Sequence, residues 1–173
     1  MARDIPEYGD FLSSHRAQAA GTREFSRLSS ALVDAMRQIA SSRGEGAPDV
    51  RMAPDRCIVQ IGPLAVTVTH LRNAADRQAG GQLLAILWQG QIAQRGDHIP
   101  ERLGARRVPP PPVSVWEESF DAAADSEADW RWSPTASAAQ RFTSGEVASR
   151  CEHVVRAALR LLTEGSPDAV PTT

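Results

Sequence analysis

The chain has 173 residues, of which 42% are hydrophobic and 23% are charged, and these values fit one globular domain rather than two domains or a disordered chain. A formal net charge of -2 and a pI near 6.1 argue against the basic surface that nucleic acids attract, so we expect no nucleic-acid partner. All 19 basic residues are arginine, which is typical of a GC-rich bacterial genome and excludes enzymes that need a Schiff-base or phosphate-loop lysine.

The first ten residues carry acidic side chains where a signal peptide needs an apolar core, and no run approaches the roughly 18 apolar residues of a membrane span. We therefore expect a cytoplasmic protein with no membrane contact. Cys57 and Cys151 are too few for a disulfide scaffold and lack metal-site spacing. Both are predicted to be small buried hydrophobic residues.

Residues 1–21 are predicted to form an N-terminal arm, with a short helix that Gly21 ends. One domain over residues 22–165 follows. It begins with a long amphipathic helix over 22–43, for which Thr22 is the expected N-cap and Gly44 lies just past the end. The apolar face of this helix consists of Phe25, Leu28, Leu32, Met36 and Ile39.

The densest β pattern of the sequence lies in residues 56–93. Two apolar runs, 57–61 and 64–71, flank Gly62-Pro63 and predict an antiparallel hairpin. Because proline cannot adopt positive φ, we expect a turn slightly wider than two residues. The face of the second strand that carries Leu64 ends at His70.

The next run, 83–88, is apolar at odd and even positions alike, which is typical of a strand covered on both faces. It continues past a predicted bulge at Gly90 to Ile92. Three strands in a meander are therefore predicted.

Residues 97–112 form a proline-rich crossing segment that ends in Pro109–Pro112. Four consecutive prolines adopt a polyproline II conformation, which serves either as a stiff spacer along the sheet or as a ligand for an aromatic groove. The sequence leaves both readings open.

A second hairpin is predicted from the alternating residues 113–120 and from 130–132. Trp116, Trp130 and Trp132 then stand on one face, where they form either a core layer or a contact patch. The acidic loop between the strands lacks the register of a calcium loop and is interpreted as a solvated tip.

The C-terminal helix has the clearest start signal. Thr143 and Glu146 form a capping box, and Phe142 and Val147 form a hydrophobic staple. Gly165 is the expected end, followed by a frayed tail over 166–173. The predicted apolar face consists of Val147, Cys151, Val154, Val155, Ala158, Leu161 and Leu162.

Taken together, the elements predict an α+β fold with a single antiparallel sheet of about five strands and the two long helices packed on one face. The other face then needs water, tryptophan side chains or a partner.

Catalytic signals are weak. Cys151 and His153 are two apart on a helix and point in different directions, so they do not form a nucleophile and base. His70 with Asp97 and His98 could form a metal or acid-base site only if the loop folded back over the strand ends. No enzyme motif is present, and we expect no cofactor.

The leading hypothesis is a non-catalytic cytoplasmic interaction module, such as an adaptor, small chaperone or regulatory subunit. It would bind a protein partner, or itself as a homodimer, through the uncovered sheet face and a tryptophan-bearing hairpin. The interaction residues predicted for it are Trp88, Trp116, Trp130 and Trp132. The alternatives are a small hydrolase or metal-dependent enzyme using His70, Asp97 and His98, and a small-ligand-binding domain.

Overall fold

The computed structural model describes residues 11–72, 81–92, 110–137 and 139–164. Within these residues the chain forms two helices and one six-stranded sheet, which confirms the α+β class and the two long helices but corrects the strand count of about five. The elements are α1 (His15–Ser42), β1 (Asp49–Ala53), β2 (Arg56–Ile61), β3 (Leu64–Leu71), β4 (Gln82–Gln89), β5 (Val113–Ala123), β6 (Arg131–Pro134) and α2 (Ser144–Glu164).

The strands follow each other through the sheet in chain order, and every neighbouring pair is antiparallel. The additional strand is β1, whose five residues carry two charges and too little alternation to stand out before β2. Pairing with β2, rather than its own pattern, makes this segment a strand.

The turn between β2 and β3 has two residues, because Ile61 and Leu64 are register partners. The expectation of a wider turn was therefore wrong. Gly62 has a φ of 52°, which meets the single positive-φ requirement of a type II′ turn, and Pro63 occupies the second position, where φ is negative.

Both helices pack on the same face of the sheet and against each other. The predicted face of α1 is confirmed, since Phe25, Leu28, Leu32, Met36 and Ile39 are all at most 2% exposed. Arg150 of α2 reaches Glu118 of β5 through two hydrogen bonds, of 2.5 and 3.0 Å, which tie the helix layer to the sheet.

Helix α1 begins seven residues before the predicted start. Ser14 is its N-cap and accepts a hydrogen bond from the Ala17 amide at 3.2 Å, whereas the Thr22 hydroxyl bonds back to the Gln18 carbonyl inside the helix. Gly21, expected to end a separate short helix, lies within α1 and is buried.

The C-terminus of α1 agrees with the sequence. The amide of Gly44 bonds to the Ser41 carbonyl at 3.1 Å, and that of Glu45 bonds to the Ala40 carbonyl at 2.9 Å. With a φ of 67° at Gly44, these bonds form a Schellman motif.

The predicted bulge is displaced from Gly90 on β4 to the opposite strand. Leu87 pairs with Trp116 and Trp88 pairs with Ser114, so Val115 of β5 is the extra residue. Gly90 lies just after β4 with a φ of 118°.

The capping box of α2 is confirmed: the Thr143 amide donates to Glu146 Oε2 at 2.7 Å, and the Glu146 amide donates to Thr143 Oγ1 at 3.2 Å. The predicted apolar face was wrong at Leu161, which is 70% exposed, while Leu159 is buried instead. Leu159 continues the spacing of four from Cys151 and Val155, which keeps it over the sheet.

Neither α1 nor α2 is both long and apolar enough to cross a membrane. Gly165, the tail and most of the proline-rich segment lie outside the described residues.

Candidate functional site

The sheet has one covered face and one open face. On β2, Cys57, Val59 and Ile61 are buried beneath the helices, while the intervening Ile58 and Gln60 are only partly buried. This alternation continues through β3 and β4, because side chains of antiparallel partners share a face. We use the term open face for the surface opposite the helices formed by Ile58, Thr67, Thr69, Leu84, Ile86 and Trp88.

The open face has an apolar centre. Ile58, Leu84, Ile86 and Trp88 are each partly exposed, and no described helix or strand packs over them. Strand β4 thus has the composition of a strand covered on both faces, although among the described residues only 90–92 lie over its open side, at the end where they hydrogen-bond to Gln60. Such an apolar surface on a folded chain is typical of a protein contact site.

Trp88 is the predicted interaction residue that lies on this face. Its indole Nε1 donates a hydrogen bond to Thr67 Oγ1 at 3.0 Å, so the ring leans across β3 with its polar atom satisfied. Ala65, the cross-strand partner of both Gln60 and Trp88, is fully buried although it points to the open face. Trp88 therefore presents the exposed part of its ring in a fixed orientation.

The other three predicted tryptophans face the helices. Trp130 and Trp132 are 3% and 0% exposed, and their rings meet edge to face at 5.5 Å. The Trp132 indole nitrogen donates to Ser144 Oγ at 3.1 Å. Trp116 is partly buried against the core, opposite Leu87. In the folded chain, Trp130 and Trp132 form a core layer and have no surface to offer a partner.

His70 lies in the core and not at the surface. It is 2% exposed, stacks on Phe25 at 5.7 Å between ring centroids and meets Trp132 edge to face at 5.9 Å. Asp97 and His98, proposed to converge with it, lie outside the described residues. Within the described residues, no group of three or more histidine, cysteine or acidic side chains could hold a metal ion.

Both thiols are buried and free, as the sequence predicts. Burial raises the pKa of Cys57 to about 11, although the nearby Ser29 hydroxyl lowers it in part. Burial likewise raises the pKa of Cys151 to about 12. Because the thiolate is the nucleophile, neither cysteine is suited to covalent catalysis near neutral pH.

A cavity of about 480 Å³ lies where α1 meets the N-terminus of α2. Its two carboxylates already have protein partners. Glu24 accepts from Ser144 Oγ at 2.8 Å and pairs with Arg27, and Glu127 pairs with Arg23 at 2.9 Å. A ligand there would find no uncommitted carboxylate to recognise it.

No family model, curated protein or solved structure matches the chain.

Proposed function

We propose that this chain is a non-catalytic cytoplasmic protein-interaction module that binds a protein through the open face. One observation carries the proposal: β4 has the composition of a strand buried on both sides, yet Leu84, Ile86 and Trp88 remain partly exposed. A protein surface docked there would complete the burial that the composition indicates. An enzymatic role receives no comparable support, because the described histidine of the candidate catalytic set is enclosed in the core.

The binding surface suits a protein better than a small molecule. It is a broad strand surface rather than a concave site, and small-molecule sites bury most of the ligand in a cleft. Its centre contains no charge, and an uncharged centre with an aromatic side chain is characteristic of protein contact surfaces. Trp88 is the expected energetic centre, since tryptophan is enriched among residues that dominate binding energy.

Site-specific photocrosslinking in the host cell tests the proposal. A photoreactive amino acid at position 86 lies in the centre of the open face, and one at position 37 lies on the exposed side of α1 as a matched control. We expect position 86, and not position 37, to give a protein adduct of one discrete mass.

Competition makes the test specific. Excess untagged wild-type chain should suppress the adduct, whereas the variant Ile58→Asp, which places a charge on the same face, should suppress it much less. If position 86 gives no adduct above the level at position 37, the proposed function is wrong.

A further inference from the structure

One cross-strand row passes through the open face and continues onto β1 and β5, where it ends in a positive and a negative side chain. Arg51, Ile58, Thr67, Ile86 and Glu117 are register partners on β1 to β5. The three middle positions are uncharged, and the two charges stand at the outermost positions. The row therefore has a charge polarity across the sheet.

The same polarity continues at the two margins of the face. Arg56 is exposed on the β1 and β2 margin, where Asp49 contacts Arg51 at 3.1 Å. At the opposite margin, β5 carries Asp121 in addition to Glu117, and β6 carries Arg131. The β1 and β2 margin thus carries two arginines and one aspartate. The β5 and β6 margin, on the other side of the apolar centre, carries two carboxylates and one arginine.

We propose that the occupant of the open face is a second copy of this chain, stacked face to face about a twofold axis that runs along β3 through Thr67. This inference rests on the proposed function and names its partner. The rotation places β1 of each copy over β5 of the other and β2 over β4. Arg51 then meets Glu117 of the second copy, and Ile58 meets Ile86.

Charge decides between the two twofold arrangements available to stacked sheets. An axis running across the strands would place each strand over its own copy, so Arg51 would face Arg51 and Glu117 would face Glu117. Like charges across an interface disfavour that arrangement, whereas the axis along β3 pairs opposite charges twice. The stacked sheets keep the usual crossing angle of roughly 30°.

The contact area between the two copies sets the expected affinity of the dimer. The five strands β1 to β5, at a spacing of about 4.8 Å and a mean length of roughly 26 Å, give a footprint on the order of 600 Å² per copy. A total of about 1,200 Å² is at the lower limit of specific interfaces. We therefore expect a concentration-dependent dimer rather than an obligate one.

Charge reversal tests the arrangement. We expect sedimentation velocity to show wild-type dimers at high concentration, and Arg51→Glu or Glu117→Arg alone to weaken association at least about tenfold, because symmetry counts each substitution twice. Asp34→Arg and Arg37→Glu, which alter an exposed ion pair on α1, are matched controls and should leave association unchanged. Far-ultraviolet circular dichroism checks that each variant is folded.

Mixing the two open-face variants gives the decisive result. In a mixture of Arg51→Glu and Glu117→Arg chains, both charge pairs across the axis become complementary again. We therefore expect heterodimers at close to wild-type affinity from chains that associate poorly alone. Unchanged association of the single variants, or no recovery on mixing, overturns the arrangement.

The crosslinking experiment separates this inference from the proposed function. An adduct at position 86 with the mass of two chains supports both. An adduct with a different protein, together with a wild-type chain that stays monomeric in sedimentation, overturns the dimer and leaves the interaction module standing. Absence of any adduct overturns both.

Discussion

Gly81 shows how tightly single residues fit at the start of β4. Its φ is 79°, and a Cβ atom built there would lie 2.6 Å from His70 Nε2 and 2.8 Å from the Leu71 carbonyl oxygen. The histidine ring cannot easily yield, because Phe25 and Trp132 hold it on two sides. Glycine is therefore required here both by conformation and by space.

We expect Gly81→Ala to lower the free energy of unfolding by about 3 kcal/mol or more, combining the left-handed backbone with overpacking. Gly44→Ala is the matched control: its φ is 67°, but nothing lies within 4 Å of the added Cβ. That variant should lose only about 1 to 2 kcal/mol. Urea denaturation measures both, and equal losses would show that the contact with His70 is not restrictive.

Among the elements, α2 depends most visibly on its first turn. The Thr143 amide and hydroxyl both donate to Glu146, and these bonds lower the pKa of the Glu146 carboxyl. The folded-state pKa of Glu146 therefore lies below the unfolded value of about 4.3. Its contribution to the free energy of unfolding is complete above a pH of about 4.3 and is lost as the pH falls through the folded-state pKa.

Removal of the cap should therefore have two effects. We expect Thr143→Ala to lower the free energy of unfolding by about 1 kcal/mol, and the Glu146 carboxyl to titrate at higher pH in the variant because it loses the hydroxyl donor. Carbon-detected NMR titration gives the pKa directly. An unchanged titration midpoint would mean that the hydroxyl does not contribute to holding the carboxylate.

The sequence predicted the elements whose signals are local. The capping box of α2, the glycine after α1 and the buried stripe of α1 depend on side chains within a few residues of each other. By contrast, β1 becomes a strand only through pairing with β2, and α1 extends past Gly21 because burial there outweighs the low helix propensity of glycine. Neither effect is visible in a linear pattern.

For the candidate site, too, the sequence predicted the local features but not those that depend on strand pairing. The apolar run of β4 indicated burial on two sides, and Trp88 was correctly placed in the sheet. Which tryptophans turn inward could not be deduced, because the face on which Trp116 and Trp132 lie is set by their register with β4 and β5, which no local pattern specifies. The charge polarity between Arg51 and Glu117 likewise exists only in the register of five strands.

For the whole molecule, the two thiols make it possible to measure how often the sheet layer and the helix layer open. Cys57 lies in β2 and Cys151 in α2, and each is at most 1% exposed. Since thiol reagents attack the thiolate of an accessible cysteine, labelling in the native state measures how often each layer opens.

We expect both thiols to resist labelling in the native protein at pH 8 and to react at similar rates once opening occurs, because α1, α2 and the sheet share one core. Mass spectrometry after timed labelling distinguishes the two sites. Much faster reaction of Cys151 than of Cys57 would show that α2 detaches while the sheet stays intact. Cys57→Ser and Cys151→Ser variants assign the signals.

The edges of the sheet limit how such a molecule can assemble. β1 has five residues and β6 has four, and Trp132 and Phe142 exchange backbone hydrogen bonds of 2.7 and 2.8 Å at the outer side of β6. The extra residue Val115 bends the long strand β5 where β6 does not cover it. Short, occupied or bent edges give a growing fibre no straight template, so edge-to-edge addition of further chains to this sheet is disfavoured.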